Sequence, residues 1–307
     1  MLDESIISAQ GLTRYFGSKA VVHDLELDIP RGSVTGLLGL NGAGKTTTLR
    51  MLLGFLDPTR GQCQIFGRDS QSLTPEDRAR IGYTVEGHFL YGWMTVRQSQ
   101  EFQQQTFPEF NCRLFAETMR RFGIDPSQRN RTLSRGQRAG VSLALTLATE
   151  PELLILDDPA LGLDPVSRRA LNETLLDFCD GGQRTILLSS HMLDDVERVA
   201  DRVAVMVHGR LLVHTTIDDF RARVAAWSLD ILPTTRSTES IPRLIQTREL
   251  GGRTVVTVVD PDQETTSALL RLSNSEPVRL PVTFEDAVIA YLSRSRDSQS
   301  YLVHTGA

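Results

Sequence analysis

Short unbroken apolar runs, rather than long alternating ones, dominate the first two thirds of the chain. VTGLL at 34–38, LLILD at 153–157 and TILLSS at 185–190 each stand between polar flanks. Runs of four to six such residues, ended by turn-forming residues, predict strands buried on both faces. VTGLL leads directly into GLNGAGKTT at 39–47 and then TLRMLLGFL, so a strand, a glycine-rich loop and a helix start follow in order. The spacing changes at about 90–150, where TVRQSQEFQQQTF, CRLFAETMRRFG and GVSLALTLATE carry helical composition. An α/β core interrupted by a helical subdomain follows. After residue 215 the pattern changes again. WSLDIL (227–232) and RTVVTVV (253–259) read as strands, and TTSALLRL and FEDAVIAYLSR as helices. Thr283, three residues before Asp286, marks a capping-box start. Phe284, Val288 and Tyr291/Leu292 then form one apolar stripe, expected to pack on the small sheet. Two domains are predicted, 1–217 and 218–307.

Composition narrows the classes. With 307 residues, 40% hydrophobic and 23% charged, the chain reads as a soluble globular protein. A net charge of -5 argues against a nucleic-acid partner, which favours a basic surface. No apolar run is long enough to span a bilayer. The acidic start MLDESIISAQ lacks the basic and apolar regions of a signal peptide. Three scattered cysteines, Cys63, Cys112 and Cys179, lack metal-ligand spacing and read as reduced thiols of a cytoplasmic protein.

The glycine loop carries the first chemistry. Gly39, Gly42 and Gly44 free the backbone to aim N–H groups at phosphate oxygens, with Leu40, Asn41 and Ala43 between them. The following helix N-terminus adds partial positive charge, at Thr47 and the residues before it. Lys45 is expected on the β- and γ-phosphates, and the Thr46 hydroxyl on Mg²⁺. A nucleoside triphosphate therefore binds here. LLILD then runs into two adjacent carboxylates, Asp157 and Asp158, which repel each other and resist burial. A cation resolves that conflict, and Asp157 at the strand end is expected to supply it with a second Mg²⁺ ligand.

With LSRGQ at 133–137 ahead of a helix, the chain resembles the ATP-binding subunits of ABC transporters, whose signature is LSGGQ. The resemblance spans about residues 5–215 and includes Phe16 in LTRYFG, LGLDP at 161–165 and SSH at 189–191. It implies a P-loop ATPase core of RecA-like type with antiparallel β and helical subdomains, followed by a small α+β domain. Phe16 then stacks on adenine, His191 is the switch histidine, and Asp164 lies in the loop that reaches across a dimer. Ser134, Arg135, Gly136 and Gln137 meet the γ-phosphate held by a second copy. ATP and Mg²⁺ are the implied cofactors. The implied partners are a second ATPase subunit, as homodimer or pseudo-dimer, and a separate integral-membrane subunit. The implied location is cytoplasmic, peripheral on the inner face of the membrane.

Three positions depart from that family's pattern, two of them at the catalytic residues. Asp158 stands where the family carries the glutamate that polarises the attacking water, and it is shorter by roughly 1.5 Å. Glu86 in IGYTVEGHF stands where the family has glutamine, resembling exporters that confer self-immunity to lantibiotic peptides. Asp158, Glu86 and His191 are thus the expected catalytic residues, with Glu86 also near the metal. Arg135 replaces a signature glycine; its cluster with Arg129, Arg131 and Arg138 reads as a solvated face or as a phosphate contact. The aromatics of HFLYGWM (88–94) either pack inward or line the groove that, in the family, accepts a helix of the membrane subunit. The tail ending in VTFEDAVIAYL resembles the extension of ABC-2 type exporter ATPases. Two other readings stand beside export: a nucleotide-gated switch with weak hydrolysis, and a non-transport ABC ATPase. The second lacks support, since the chain has neither a long coiled coil nor two cassettes.

Overall fold

The structure is a computed structural model that describes residues 5–179, 182–230, 238 and 240–302, without the side chains of 294–302. It divides into two units, Met1–His214 and Thr215–Ala307. In the first, β1 (Ser5–Phe16) and β2 (Lys19–Pro30) form an antiparallel hairpin. β2 alternates, with Leu25, Leu27 and Ile29 buried and Glu26 and Asp28 exposed between them, as a sheet with one covered face requires. β3 (Val34–Leu38) follows, then α1 (Lys45–Leu52), β4 (Arg60–Ile65), β5 (Arg68–Asp69), α2 (Pro75–Ala79) and β6 (Ile81–Thr84). The helical subdomain holds α3 (Val96–Thr106), α4 (Cys112–Arg121) and α5 (Arg135–Leu147). Next come β7 (Leu153–Asp157), α6 (Pro165–Cys179), β8 (Thr185–Ser190), α7 (Leu193–Val199), β9 (Arg202–Val207) and β10 (Arg210–Thr216).

Two sheets share one core. The antiparallel sheet runs β2-β1-β4-β5, and the six-stranded sheet runs β10-β9-β3-β8-β7-β6. From β9 to β6 every neighbour is parallel. β3, β7 and β8 are buried at every position, which is why each reads as a continuous apolar run. Gly36 in β3 lets α7 approach: a Cβ there would stand 2.2 Å from a Val196 methyl. The helical subdomain has its own core of Val96, Phe115, Met119, Leu133, Val141 and Ala144. Reciprocal caps start two of its helices, Thr95 with Gln98 and Ser134 with Gln137.

The second unit contains α8 (Ile217–Arg223), β11 (Val224–Leu229), β12 (Leu244–Leu250), β13 (Arg253–Val259), α9 (Gln263–Leu272), β14 (Val278–Leu280) and α10 (Phe284–Leu302). Its sheet runs β12-β13-β11-β14. The strand expected at 227–232 begins earlier, at Val224, and ends at Leu229; Ile231 and Leu232 lie outside the described residues. The Thr283–Asp286 capping pair forms, with the Asp286 N–H donating to Thr283 Oγ1 at 3.0 Å. Phe284 and Tyr291 of the apolar stripe meet Phe220 of α8, at ring distances of 5.7 and 5.3 Å. The stripe therefore packs on a helix as well as beside the sheet. No helix among the described residues is long and apolar enough to cross a membrane.

Candidate functional site

The strand order assembles the site. β3, β8, β7 and β6 lie side by side and parallel, with Leu38 opposite Ser190, Ser189 opposite Asp157, and Leu156 opposite Thr84. Their C-terminal ends thus set the glycine loop, His191, the two aspartates and the Glu86 turn along one sheet edge. Ligands of open α/β sheets bind at such an edge.

Two of the loop's glycines leave no room for a side chain. Gly44 has φ +104, and a Cβ there would stand 2.7 Å from the Val21 carbonyl oxygen. At Gly39 the same atom would meet the Met206 carbonyl at 2.5 Å. Lys45 opens α1, is buried, and donates from Nζ to the Gly39 carbonyl (2.7 Å) and the Leu40 carbonyl (3.3 Å). Burial pushes its pKa down, against the pull of Asp158, Asp157 and Glu86. Among the described residues no carboxylate lies within ion-pair distance of this ammonium. Asn41, Lys45, Thr46, Glu86, Asp157 and Asp158 line one cavity of about 320 Å³.

The adjacent aspartates point to different partners. Asp157 Oδ1 accepts from Thr46 Oγ1 at 3.0 Å and from Ser189 Oγ at 2.8 Å. Asp158 adopts φ +49, unusual for a side chain with a Cβ, and its N–H donates to Ser189 Oγ at 3.0 Å. Its carboxylate turns to His191, whose Nδ1 lies 2.8 Å from Oδ2 and 3.1 Å from Oδ1. The repulsion implied by two neighbouring acids is relieved by splaying them apart. A hydroxyl and a carboxylate at one cavity wall, beside a buried ammonium and a loop of N–H groups, suit Mg²⁺ and a polyphosphate. No group of three or more His, Cys, Asp or Glu among the described residues is placed to hold a metal. Mg²⁺ fits this donor set, because it takes one or two protein ligands and completes its shell with phosphate oxygens and water. Glu86 lines the cavity without joining such a group.

Other expected residues gather elsewhere. Ser134 and Gln137 cap α5 reciprocally, with N–H to side-chain distances of 3.0 and 3.1 Å. Asp164 caps α6, accepting from the Val166 and Ser167 N–H groups and from Ser167 Oγ at 2.6 Å. The Ser167 hydroxyl bond, with those N–H groups, holds its carboxyl below the usual range. Gly136 packs against Ser167, where a Cβ would stand 2.0 Å from Oγ, and the Arg135 guanidinium lies over Gly162. Ser134, Arg135, Gly136, Gln137 and Asp164 thus form a second cluster that does not line the cavity. Phe16 stays half exposed at the end of β1 with the Arg14 guanidinium 4.8 Å above its ring, also off the cavity wall. Leu161, the first residue of LGLDP, does line it, and so does Val21, although nothing in its sequence context marks Val21. His88 is buried at φ +52, and burial, outweighing the opposing pull of the Pro159 backbone, sets its pKa below the usual value. The neighbouring aromatics face outward. Phe89 and Trp93 are 78% and 65% exposed, and Tyr91 joins them to Phe102 through ring contacts of 6.1–6.3 Å.

The chain is similar to known proteins. The ABC transporter family model matches residues 22–161. A bacitracin transport ATP-binding protein of Bacillus licheniformis is 33% identical over 221 residues, covering 71% of this chain and 72% of that protein. A daunorubicin/doxorubicin resistance ATP-binding protein of Streptomyces peucetius is 33% identical over 226 residues, 72% of this chain and 68% of that one. Among solved structures, the ATP-binding subunit of an ABC transporter superposes with TM-score 0.64 at 29% identity, covering 71% of this chain and 92% of that chain.

Proposed function

We propose that this chain, which belongs to the family of ABC transporter ATP-binding proteins, is the ATP-hydrolysing motor of an exporter whose membrane-spanning part is a separate subunit. One observation carries the reading: a single cavity at four adjacent strand ends brings together the glycine loop with Lys45, the Thr46–Asp157 pair and Asp158, whose carboxylate is paired behind the cavity lining with His191. Lys45 and the loop N–H groups hold the phosphate oxygens, and Thr46 with Asp157 would hold Mg²⁺. When bound, Mg²⁺ neutralises phosphate charge as a Lewis acid. Asp158 and Glu86 orient and polarise the attacking water, while His191 holds the Asp158 carboxylate in place. Ser134 and Gly136, at the start of α5, contact the nucleotide held by a second subunit, so ATP joins the two. The exposed Phe89, Tyr91, Trp93 and Phe102 are the docking face for the membrane subunit, which holds the chain at the inner face of the membrane. Export is supported by the relatives' printed roles in bacitracin transport and daunorubicin/doxorubicin resistance.

The test is Mg²⁺-ATP turnover of the purified chain, with Lys45→Ala as its comparison. Removing the point charge of the cradle lowers turnover by at least about 100-fold. Parental turnover and ATP affinity in that variant would remove the assignment. One observation favours a second reading, a nucleotide-gated switch with slow hydrolysis: both Asp158 oxygens already face His191 Nδ1. Stable ATP-bound dimers without steady-state phosphate release would select it.

A further inference from the structure

Ser189 has no exposed surface, and its hydroxyl sits inside a strand that is otherwise apolar from Ile186 to Leu188. A buried hydroxyl has to satisfy both its proton and its lone pairs. Here it satisfies them on two consecutive residues of the neighbouring strand's end. Oγ donates to Asp157 Oδ1 at 2.8 Å and accepts from the Asp158 N–H at 3.0 Å. An amide N–H can only donate, so the hydroxyl proton belongs to the Asp157 bond. The reach follows from register, since Asp157 lies opposite Ser189 in the parallel pair.

Two effects follow from this one group. Asp157 Oδ1 receives two hydroxyl protons, from Ser189 and from Thr46, and among the described residues Oδ2 receives none. The carboxylate cannot turn about its axis without losing both bonds. At Asp158 the N–H anchor helps hold a main chain at φ +49, a conformation that residues with a Cβ resist. That conformation is what sends the Asp158 carboxylate to His191 rather than alongside Asp157. We infer that Ser189 is a positioning residue for ATP hydrolysis: its hydroxyl orients the Asp157 carboxylate for the divalent cation and fixes the Asp158 turn. This rests on reading the cavity as a Mg²⁺-ATP site.

The experiment uses the purified full chain with a non-hydrolysable ATP analogue and Mn²⁺ as the metal, titrated by electron paramagnetic resonance. Ser189→Ala weakens Mn²⁺ binding by about 10-fold, as loss of a partner behind a metal ligand typically does. Turnover at saturating ATP falls by a similar factor, while KM for ATP stays within about 2-fold because the phosphate cradle is intact. Ser189→Cys, close to serine in size but a weak hydrogen-bonding group, behaves like the alanine variant. Ser189→Thr, which keeps the hydroxyl, recovers Mn²⁺ affinity. A purely structural role would lower the melting temperature and leave the Mn²⁺ affinity of the folded protein unchanged. Parental Mn²⁺ affinity in both the alanine and cysteine variants overturns the inference. Asp157→Asn separates the two levels: if it binds Mn²⁺ like the parent, the reading of the cavity falls. If it loses Mn²⁺ while Ser189→Ala does not, only the role of Ser189 falls.

Discussion

Asp158 ends one methylene short of the glutamate expected by the family's pattern, and its oxygens lie 2.8 and 3.1 Å from His191 Nδ1. A carboxylate held there by histidine has little freedom to follow a water, whereas Glu86 lines the same cavity from an exposed turn. If the two acids share the work of one glutamate, Glu86→Gln slows turnover by about 10²-fold, the lower end for loss of a general base. Asp158→Glu then restores most of that rate in the double variant, a non-additivity expected of residues acting on one water. Turnover of Glu86→Gln equal to or above the parent would instead make Glu86 a residue that faces the membrane subunit. A second side chain reports through pH. Burial, with Arg202 nearby and Asp28 opposing, lowers the pKa of His214 to about 4, and its Nε2 is buried without a hydrogen-bond partner. The folded protein therefore takes up this proton less readily than the unfolded chain does. Stability from a neutral His214 is complete above pH ~6.5 and is lost progressively as pH falls toward 4. Urea midpoints at pH 7 and pH 5 check this: the parent loses more than His214→Leu over that interval.

Among the elements, those buried on both faces were the easiest to read. β3, β7 and β8 announce themselves because no position along them meets water. β12 and β14 do not, because both are sheet edges: Thr247–Leu250 and Val278–Arg279 are exposed and carry no clean period. Residues 217–223 give no signal either, since α8 is too short to show a helical repeat. The candidate site was legible where its chemistry is local in sequence, as in the glycine loop and the Asp157–Asp158 pair. The Asp158–His191 bond and the Ser189 bridge depend on the β7–β8 register, which no local pattern reveals. Glycine is required at Gly44 of the loop, whereas at Gly17, in the turn between β1 and β2, it is more easily replaced. Gly44→Ala forces φ +104 on alanine and drives a Cβ to 2.7 Å from the Val21 carbonyl. It should cost about 2 kcal/mol or more and weaken nucleotide binding. Gly17→Ala also has positive φ, at +60, but meets nothing within 4 Å, so its cost stays near ~1 kcal/mol with nucleotide affinity intact. Chemical denaturation of both variants, paired with nucleotide titration, distinguishes strain alone from strain within the cradle.

For the molecule as a whole, ATP is expected to act as the adhesive between two copies. His191→Ala blocks hydrolysis and traps the nucleotide, so sedimentation with Mg²⁺-ATP should show a dimer that persists, whereas the parent returns to its starting mass as ATP is consumed. No change of mass on adding ATP would count against joining through nucleotide. The order of the six-stranded sheet has a separate consequence, for how the protein is made. β3 ends at Leu38 and leaves the ribosome well before its two neighbours in the sheet, β8, starting at Thr185, and β9, starting at Arg202. During synthesis the strand that presents the glycine loop has both hydrogen-bonding edges open until most of the first unit has been translated. Nascent chains ending before Thr185 therefore carry a complete glycine loop but neither of the strands that pair with β3. Nucleotide binding is therefore expected to be acquired late in synthesis, which a series of truncated chains titrated with ATP checks, and until then β3, apolar but for Thr35, stays unpaired and open to misassociation.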